Sequence, residues 1–381
     1  MSDHFRQAGD DVDVPGSRTI MIAGDESSGS LRRTATAIQG LSPGYFPFVM
    51  ATSIISTGTF LLGPSWLSRA LLAIASAGFV VLIVAIVIQL VLFRPNVAAS
   101  FRDPGRVFGL FAIAAGMNVL GLRLADAGHP LAMGILAGVA AAVWLGLTYG
   151  VPASLLARSR DSVLGDVNGT WLLWVVATQS LSLVASTLVR AWPSQTGLLA
   201  PVAVGLVLYL LLVSLILQRW LTVRVTPQTL SPPYWILMGA TAIIVLAGAR
   251  ILGLLAALPV VRAAAGFVEG FSFALWAFGT WWIPLLVVLG CWRYIRHRWP
   301  LSYEPALWSV VFPLGMYSVA TLSFGQAAHL AFMGPLSRFM LWVAVAAWVA
   351  VAATFAARLL GATGFSFTGH HRGAATGRKN T

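Results

Sequence analysis

Cysteine and acidic residues are the scarcest reactive side chains in this sequence of 381 residues. Cys291 is the only cysteine, so the chain forms no internal disulfide and offers no thiolate cluster to a metal ion. Twelve residues are aspartate or glutamate, and six of these lie within the first 26 positions. Chemistry that depends on paired carboxylates therefore has little material in the remainder of the chain.

The short motifs of several enzyme classes are also missing. The sequence contains no His-Glu-x-x-His, no Gly-x-Ser-x-Gly, no Walker loop and no dinucleotide fingerprint. We therefore expect no catalytic residues, no cofactor and no metal site. One enzyme class stays open as a remote alternative, a polytopic enzyme acting on lipid-linked substrates, although the clustered acids or histidines it predicts at one membrane face are absent.

Hydrophobic residues dominate the composition. They make up 58% of the chain, charged residues make up 9%, and the mean hydropathy is +0.83. Such values are typical of a protein that spans the membrane many times. The net charge of +12 comes from 24 basic residues scattered among short loops, a pattern that favours membrane lipids over nucleic acid as a partner.

Apolar runs of about 20 residues predict ten membrane spans. The predicted spans are Gly44 to Leu62, Ala70 to Phe93, Arg106 to Leu124, Pro130 to Tyr149, Thr170 to Val189, Leu198 to Gln218, Tyr234 to Leu255, Gly266 to Cys291, Pro305 to Ala328 and Pro335 to Leu359. Residues 41–360 thus form the membrane domain. The polar segments 1–40 and 361–381 are predicted to be disordered tails.

The distribution of arginine and lysine predicts the orientation of the chain, because positively charged loops remain in the cytoplasm. All basic residues lie on one side of the ten spans except six, which are Arg69, Arg123, Arg190, Arg250, Arg262 and Arg338. Both termini are then cytoplasmic. We expect a multi-pass protein of the plasma (inner) membrane.

The odd-numbered spans differ from the even-numbered ones. They carry small and polar residues at helical spacing, whereas the even spans are rich in leucine, valine, alanine and isoleucine. The residues singled out are Thr52, Ser56, Thr59, Gly116, Thr178, Ser182, Ser186 and Gly239. Two interpretations stay open: these residues only let helices pack closely, or they line a polar path that five inner helices surround. Hydroxyl and amide donors with few carboxylates would make such a path prefer anions.

Three stretches resemble a known family. They are "PGYFPFVMATSIISTG" in the first span, "PPYWILMGATAIIVLAG" in the seventh and "ALWSVVFPLGMYSVAT" in the ninth. Together they are similar to the tellurite-resistance/dicarboxylate transporter family, which includes bacterial TehA, malic-acid and sulfite exporters, and the slow-type anion channels of plant guard cells. The resemblance extends over about Leu41 to Leu359.

The resemblance implies an all-α membrane protein with ten helices in five hairpins around a central pore, the odd helices inside and the even ones outside. It further implies a homotrimer that transports small anions, among them C4-dicarboxylates such as malate, sulfite, chloride, nitrate and tellurite-derived species. Phe312 matches the phenylalanine that blocks the pore in the family. Phe48, Trp308, Pro313 and Gly315 are expected to lie along the same path, with Pro313 and Gly315 bending the helix and leaving room for the ring.

Glu269 is the one acid that the sequence places clearly within a span. An intramembrane acid is a candidate functional residue, so Glu269 is either a proton carrier in a coupled dicarboxylate or sulfite exporter or the ion-pair partner of Arg250 or Arg262. Passive conduction and proton-coupled export both stay open.

Overall fold

The structure, a computed structural model, describes residues 43–92, 103–156, 164–192, 194, 197, 199–254, 258–300 and 302–364. These residues belong to one compact unit, Leu41–Thr381. The predicted N-terminal tail lies outside the described residues. The last described helix ends at Gly364, a few positions beyond the predicted start of the C-terminal tail, and the remainder of that tail lies outside the described residues.

Ten long helices account for most of this part of the chain. They are α1 (Phe46–Leu62), α2 (Ser65–Leu92), α3 (Phe111–Asp126), α4 (Pro130–Leu156), α5 (Leu173–Ala191), α6 (Ala200–Thr222), α7 (Ile236–Leu252), α8 (Pro259–Cys291), α9 (Trp308–Ala327) and α10 (Met333–Gly364). A single turn, Pro104–Val107, precedes α3, and a π-helical turn, Trp292–Arg296, follows α8.

Most of these helices are long and apolar enough to cross a bilayer. Within the described ranges nine segments meet both conditions, and α1 is equally apolar but has 17 residues. The turn Pro43–Tyr45 leads directly into α1 and lengthens it toward the usual span. The prediction of an all-helical membrane protein is confirmed.

One of the larger differences from the predicted boundaries is at the start of α8. This helix begins at Pro259, seven residues before the predicted start at Gly266. Arg262 interrupts the apolar run and so moved the predicted boundary inward, whereas Pro259 supplies a favourable first helical residue because its missing N–H has no partner to lose there.

Odd and even helices differ in burial as predicted. In α3, α5, α7 and α9, taken with the turns that precede them, between 78% and 89% of an apolar stretch of 18 residues is buried. In the five even helices the share is between 17% and 28%. Twelve of the 17 residues of α1 are also buried. The odd helices therefore form the inside of the bundle and the even helices form its lipid-facing surface.

The five buried helices contact one another in a closed cycle. α1 packs against α3 and α9, α3 packs against α5, α5 against α7, and α7 against α9. Each buried helix also packs against the exposed helix that follows it in the chain. The cycle surrounds one axis, which every buried helix adjoins.

Each buried helix begins with a 3₁₀ turn. The five turns are Pro43–Tyr45, Phe108–Leu110, Gly169–Leu172, Pro232–Trp235 and Pro305–Leu307. They also contact one another in a closed cycle, in the same order as the helices they precede. We call this end of the bundle the start side and the opposite end, where the buried helices finish, the end side. The basic residues predict that the start side is cytoplasmic.

Candidate functional site

A narrow cavity lies among the buried helices toward the end side. Its volume is about 20 Å³, and we call it the axial cavity because all five buried helices contribute to its wall. It is lined by Ile54 and Thr57 of α1, Val119, Leu122 and Asp126 of α3, Leu183 of α5, Leu246 and Arg250 of α7, and Met316 and Val319 of α9.

The wall of the axial cavity is mainly aliphatic. Among the described residues of this wall, the polar ones are Thr57, Asp126 and Arg250. A volume of this size holds roughly one water molecule, so a hydrated ion does not fit in the conformation described. The arrangement is that of a constriction with an apolar wall and two charged groups near its mouth.

Phe312 lies on the helix face that adjoins the axial cavity. Met316 and Val319 follow it at spacings of four and seven residues, which places the three side chains on one face of α9. The phenylalanine is buried, with 1% of its surface exposed. Its position is one turn closer to the start side than the cavity. The predicted gate therefore lies next to the constriction, although its action as a gate stays a prediction.

The two residues predicted to bend α9 beside the gate are tightly packed. A Cβ added to Gly239 of α7 would lie 2.9 Å from Cγ of Pro313, and a Cβ added to Gly315 would lie 2.9 Å from Cγ2 of Ile54. Both glycines thus allow close approach between buried helices.

Gly116 permits a looser contact between α3 and α1. A Cβ there would lie 3.6 Å from Cγ of Met50 and 3.7 Å from Cδ1 of Phe46, which is ordinary van der Waals distance. Alanine is therefore sterically compatible with this position, in contrast to Gly239 and Gly315.

Several hydroxyl groups predicted to line the path form hydrogen bonds between helices. The indole N–H of Trp348 on α10 donates to Thr52 Oγ1 at 3.0 Å, and that of Trp144 on α4 donates to Thr178 Oγ1 at 2.8 Å. A third bond of this type runs from Trp276 on α8 to Thr321 on α9 at 3.0 Å. Each joins an exposed helix to a buried helix of the neighbouring pair in the cycle.

Ser56 takes part in a small polar cluster between α1, α2 and α3. Its hydroxyl donates to the carbonyl of Ser68 at 2.8 Å, and Ser68 donates back to the carbonyl of Ser56 at 2.8 Å. The buried Arg123 donates from Nε to Ser56 Oγ at 3.1 Å and from Nη2 to Ser68 Oγ at 2.8 Å. Its guanidinium carbon also lies 4.5 Å from the ring centre of Phe60.

The remaining predicted hydroxyls bond to their own helices. Thr59 donates to Ile55 at 2.8 Å, Ser182 donates to Thr178 at 3.3 Å, and Ser186 donates to Leu183 at 2.7 Å, each to a backbone carbonyl. Ser186, one of the polar residues predicted to line the path, borders a second cavity, which lies on the end side.

Phe48 and Trp308 pack near the start side. Their ring centres are 4.9 Å apart in an edge-on arrangement, and the indole N–H of Trp308 donates to the hydroxyl of Tyr303 at 3.2 Å. Trp308 also lies 6.2 Å from Trp348 of α10. This aromatic group connects α1 and α9 with an exposed helix, and its place along a conduction path stays a prediction.

Glu269 lies apart from the axial cavity. It is exposed on α8, a peripheral helix, and in the described part of the chain it forms no ion pair within 4.0 Å. The acid that does border the axial cavity is Asp126, which lies close enough to Arg250 and Arg123 for electrostatic attraction. Asp126 was not predicted as a site residue, because it lies two residues beyond the predicted end of the third span, where an acid is typical of a loop.

The cavity-lining aliphatic residues were missed for a different reason. On α9 the sequence does contain a signal for them, since Met316 and Val319 follow the predicted gate, Phe312, at helical spacing. On the other four buried helices, no predicted gate residue identifies the face that borders the axial cavity. Among the described residues there is also no group of three or more His, Cys, Asp or Glu side chains arranged to hold a metal ion.

Several known proteins are similar in sequence to this chain. It is 46% identical over 171 residues to an uncharacterized membrane protein of Mycobacterium tuberculosis (strain CDC 1551 / Oshkosh), a match that covers 45% of this chain and 80% of that protein. The same figures hold for an uncharacterized membrane protein of strain H37Rv. It is 26% identical over 254 residues to an uncharacterized transporter of Methanocaldococcus jannaschii, covering 64% of this chain and 71% of the relative.

The sequence model of one family matches nearly the whole membrane domain. That family is described as the voltage-dependent anion channels (SLAC1), and the match extends over residues 40–356. It includes all five buried helices, the axial cavity and Phe312. The resemblance inferred from the three motifs is confirmed, and the chain belongs to the voltage-dependent anion channel family.

Proposed function

We propose that this protein conducts small anions along the axis of the five buried helices and that Phe312 is the gate. The observation that carries the proposal is the axial cavity, whose wall includes residues of all five buried helices. Its two residues from α9, Met316 and Val319, follow Phe312 at helical spacing and so share its helix face. A path shared by five helices is closed to lipid on every side. If the buried polar residues served only to pack the helices together, no cavity would be required at the axis.

The described conformation corresponds to the closed state in this proposal. A phenyl ring offers no hydrogen bond to an ion, and an apolar constriction excludes water, so an anion pays the full cost of losing its hydration there. The residues predicted from the sequence to line the path, from Thr52 on α1 to Ser186 on α5, hold the helices in place around it. We propose that their hydroxyl oxygens and backbone groups face the anion only after the constriction widens.

The narrowness of the axial cavity favours small inorganic anions over dicarboxylates. Chloride or nitrate requires a smaller widening than malate, whose two carboxylates must both lose water. Sulfite and tellurite-derived oxyanions carry more charge or are bulkier than chloride and nitrate. We place them between these two anions and malate. This ordering is the proposed substrate preference.

Proton-coupled export is a second candidate because Asp126 borders the axial cavity. A titratable carboxylate on a transport path is a suitable proton carrier. Asp126 replaces Glu269 in this role, since Glu269 lies on a peripheral helix. The coupled mechanism makes transport depend on a pH gradient, whereas a channel does not.

Reconstitution into liposomes tests the proposal. We expect wild-type protein to release chloride or nitrate without a pH gradient, with malate released more slowly. Flux that requires the gradient and disappears in Asp126→Asn supports the coupled exporter instead. The absence of flux for every anion in both wild type and a variant that lacks the Phe312 ring contradicts the proposal.

We further propose that the protein is a homotrimer in the plasma membrane with both termini cytoplasmic. The exposed surface of α8 supports a contact between subunits, because Glu269 and the large side chain of Phe273, four residues apart on one helix face, are both exposed there. A carboxylate that faces lipid is costly unless another protein group covers it. The mass of the purified protein in a mild detergent reports the number of subunits.

A further inference from the structure

A second cavity adjoins the axial cavity at the end side. Its volume is about 50 Å³, and its wall consists of Ser186, Thr187 and Arg190 of α5 together with Arg250 of α7. Arg250 also borders the axial cavity, so the two cavities have one lining residue in common. We call the second cavity the vestibule pocket. Its volume exceeds that of the axial cavity and suits an ion of a few atoms.

The vestibule pocket is rich in donors that carry positive charge. Each guanidinium group has five N–H donors in a planar fork, which matches the oxygens of a small oxyanion. Arg190 donates a hydrogen bond from Nη2 to the carbonyl oxygen of Gly253 at 3.4 Å, which is long for a hydrogen bond. An anion in the pocket offers this nitrogen a shorter and stronger charge-assisted bond.

The hydroxyl groups of the pocket play a smaller part. Ser186 and Thr187 both donate to the carbonyl of Leu183, at 2.7 and 3.3 Å. Their hydrogens are therefore engaged, which leaves the two arginines as the donors available in this pocket. Ser186 is buried, with 4% of its surface exposed.

An acid lies near one of these two cations. Asp126 borders the axial cavity beside Arg250 and attracts it electrostatically. Arg123, three residues before Asp126 on α3, is engaged with Ser56 and Ser68. Arg250 thus borders the vestibule pocket and also attracts the carboxylate of Asp126, so this carboxylate competes with an anion for the same cation.

We propose that Arg190 and Arg250 form an anion-binding site at the mouth of the axial cavity and that Asp126 is its built-in competitor. The ligand class is a small inorganic anion with one negative charge, such as nitrate or a halide. This inference rests on the proposed anion transport for its role, since the site is where an ion waits before the constriction. Binding itself does not require transport.

The test combines two measurements on the full chain with nitrate as the probe. The first is the nitrate concentration that gives half-maximal flux into proteoliposomes. The second is the rise in unfolding temperature when nitrate replaces gluconate at constant ionic strength, which reports binding without transport. Loss of one charge-assisted contact is expected to raise the half-saturating concentration about tenfold in Arg190→Gln and in Arg250→Gln.

Asp126→Asn has the opposite expected effect. Removing the competing charge lowers the half-saturating concentration roughly threefold. Arg69→Gln is the matched control, because Arg69 is an exposed arginine on the same predicted side of the membrane and borders neither cavity. It should leave both measurements unchanged. If Arg250→Gln does not fold, the exposed Arg190 provides the same comparison.

The outcomes separate this inference from the proposed function. Nitrate stabilisation that is lost in Arg190→Gln, in protein without any anion flux, supports the site and contradicts transport. Anion flux with the same half-saturation and the same nitrate stabilisation in Arg190→Gln, Arg250→Gln and Arg69→Gln overturns the site and leaves transport standing. An equal loss of stabilisation in all three arginine variants also overturns it, because it shows a general effect of charge.

Discussion

Phe312→Ala is expected to raise the anion conductance of reconstituted protein by about one to two orders of magnitude. The ring lies on the face of α9 that leads into the axial cavity, and its removal joins that cavity to the space the ring occupied. Each 1.4 kcal/mol taken from the barrier gives a tenfold increase in rate. Replacing the apolar ring by water that hydrates the passing ion lowers the barrier by more than one such step. Planar-bilayer recordings in symmetric nitrate measure the change.

Phe324→Ala is the matched control for the gate. Phe324 is on the same helix and is buried to the same degree, with 0% exposed against 1% for Phe312. Twelve residues separate the two, which turns Phe324 away from the face of Phe312. Both substitutions remove a buried ring and are expected to cost about 3–5 kcal/mol of stability. A conductance that rises equally in both variants shows general loosening of the bundle and contradicts a gate at Phe312.

Gly169→Ala is expected to destabilise the protein by about 3 kcal/mol or more. Gly169 begins the 3₁₀ turn before α5, and an added Cβ would overlap the backbone carbonyl of Pro233 in the turn before α7. A backbone group cannot move aside as a side chain can, so the two turns must separate. Because the five turns form a closed cycle, the displacement disturbs the start side of the whole ring. The midpoint of unfolding in detergent measures the loss.

Gly165→Ala provides the comparison for this substitution. Gly165 lies four residues earlier in the 3₁₀ turn Leu164–Asp166, and no atom lies within 4 Å of a Cβ built there. The change in chain entropy is similar at the two positions, since both replace glycine by alanine in a short turn. Gly165→Ala should therefore be neutral or slightly stabilising. Comparable destabilisation in both variants contradicts the close packing of the turns.

The layered arrangement of helices was predictable from the sequence. Spans such as "LLAIASAGFVVLIVAIVIQL" of α2 offer lipid an apolar surface on every side, whereas α5 carries Thr178, Ser182 and Ser186. The hydrophobicity of a span decides whether it faces lipid, and this hydrophobicity follows directly from the composition of the span. The family motifs added Phe312, which the structure places beside the axial cavity.

The lining of the cavity was not predictable by the same reasoning. A polar face on a membrane helix shows only that the face avoids lipid, and both a lumen and a neighbouring helix satisfy that condition. Thr52 and Thr178 accept hydrogen bonds from tryptophans of peripheral helices, while Ile54 and Leu183 border the cavity. Which of two buried faces points to the axis depends on how all five helices pack together.

The central claim is that the ion passes along the axis of the five buried helices, and cysteine block of the current tests it most directly. In protein carrying Cys291→Ser and Phe312→Ala, Val319→Cys places a thiol on the wall of the axial cavity. Val349→Cys places one on the exposed surface of α10 as the control. A small, negatively charged thiol reagent is expected to abolish most of the anion current in the Val319→Cys protein and to leave the Val349→Cys current unchanged. A current that persists after mass spectrometry shows complete modification of the Val319→Cys protein would contradict an axial path.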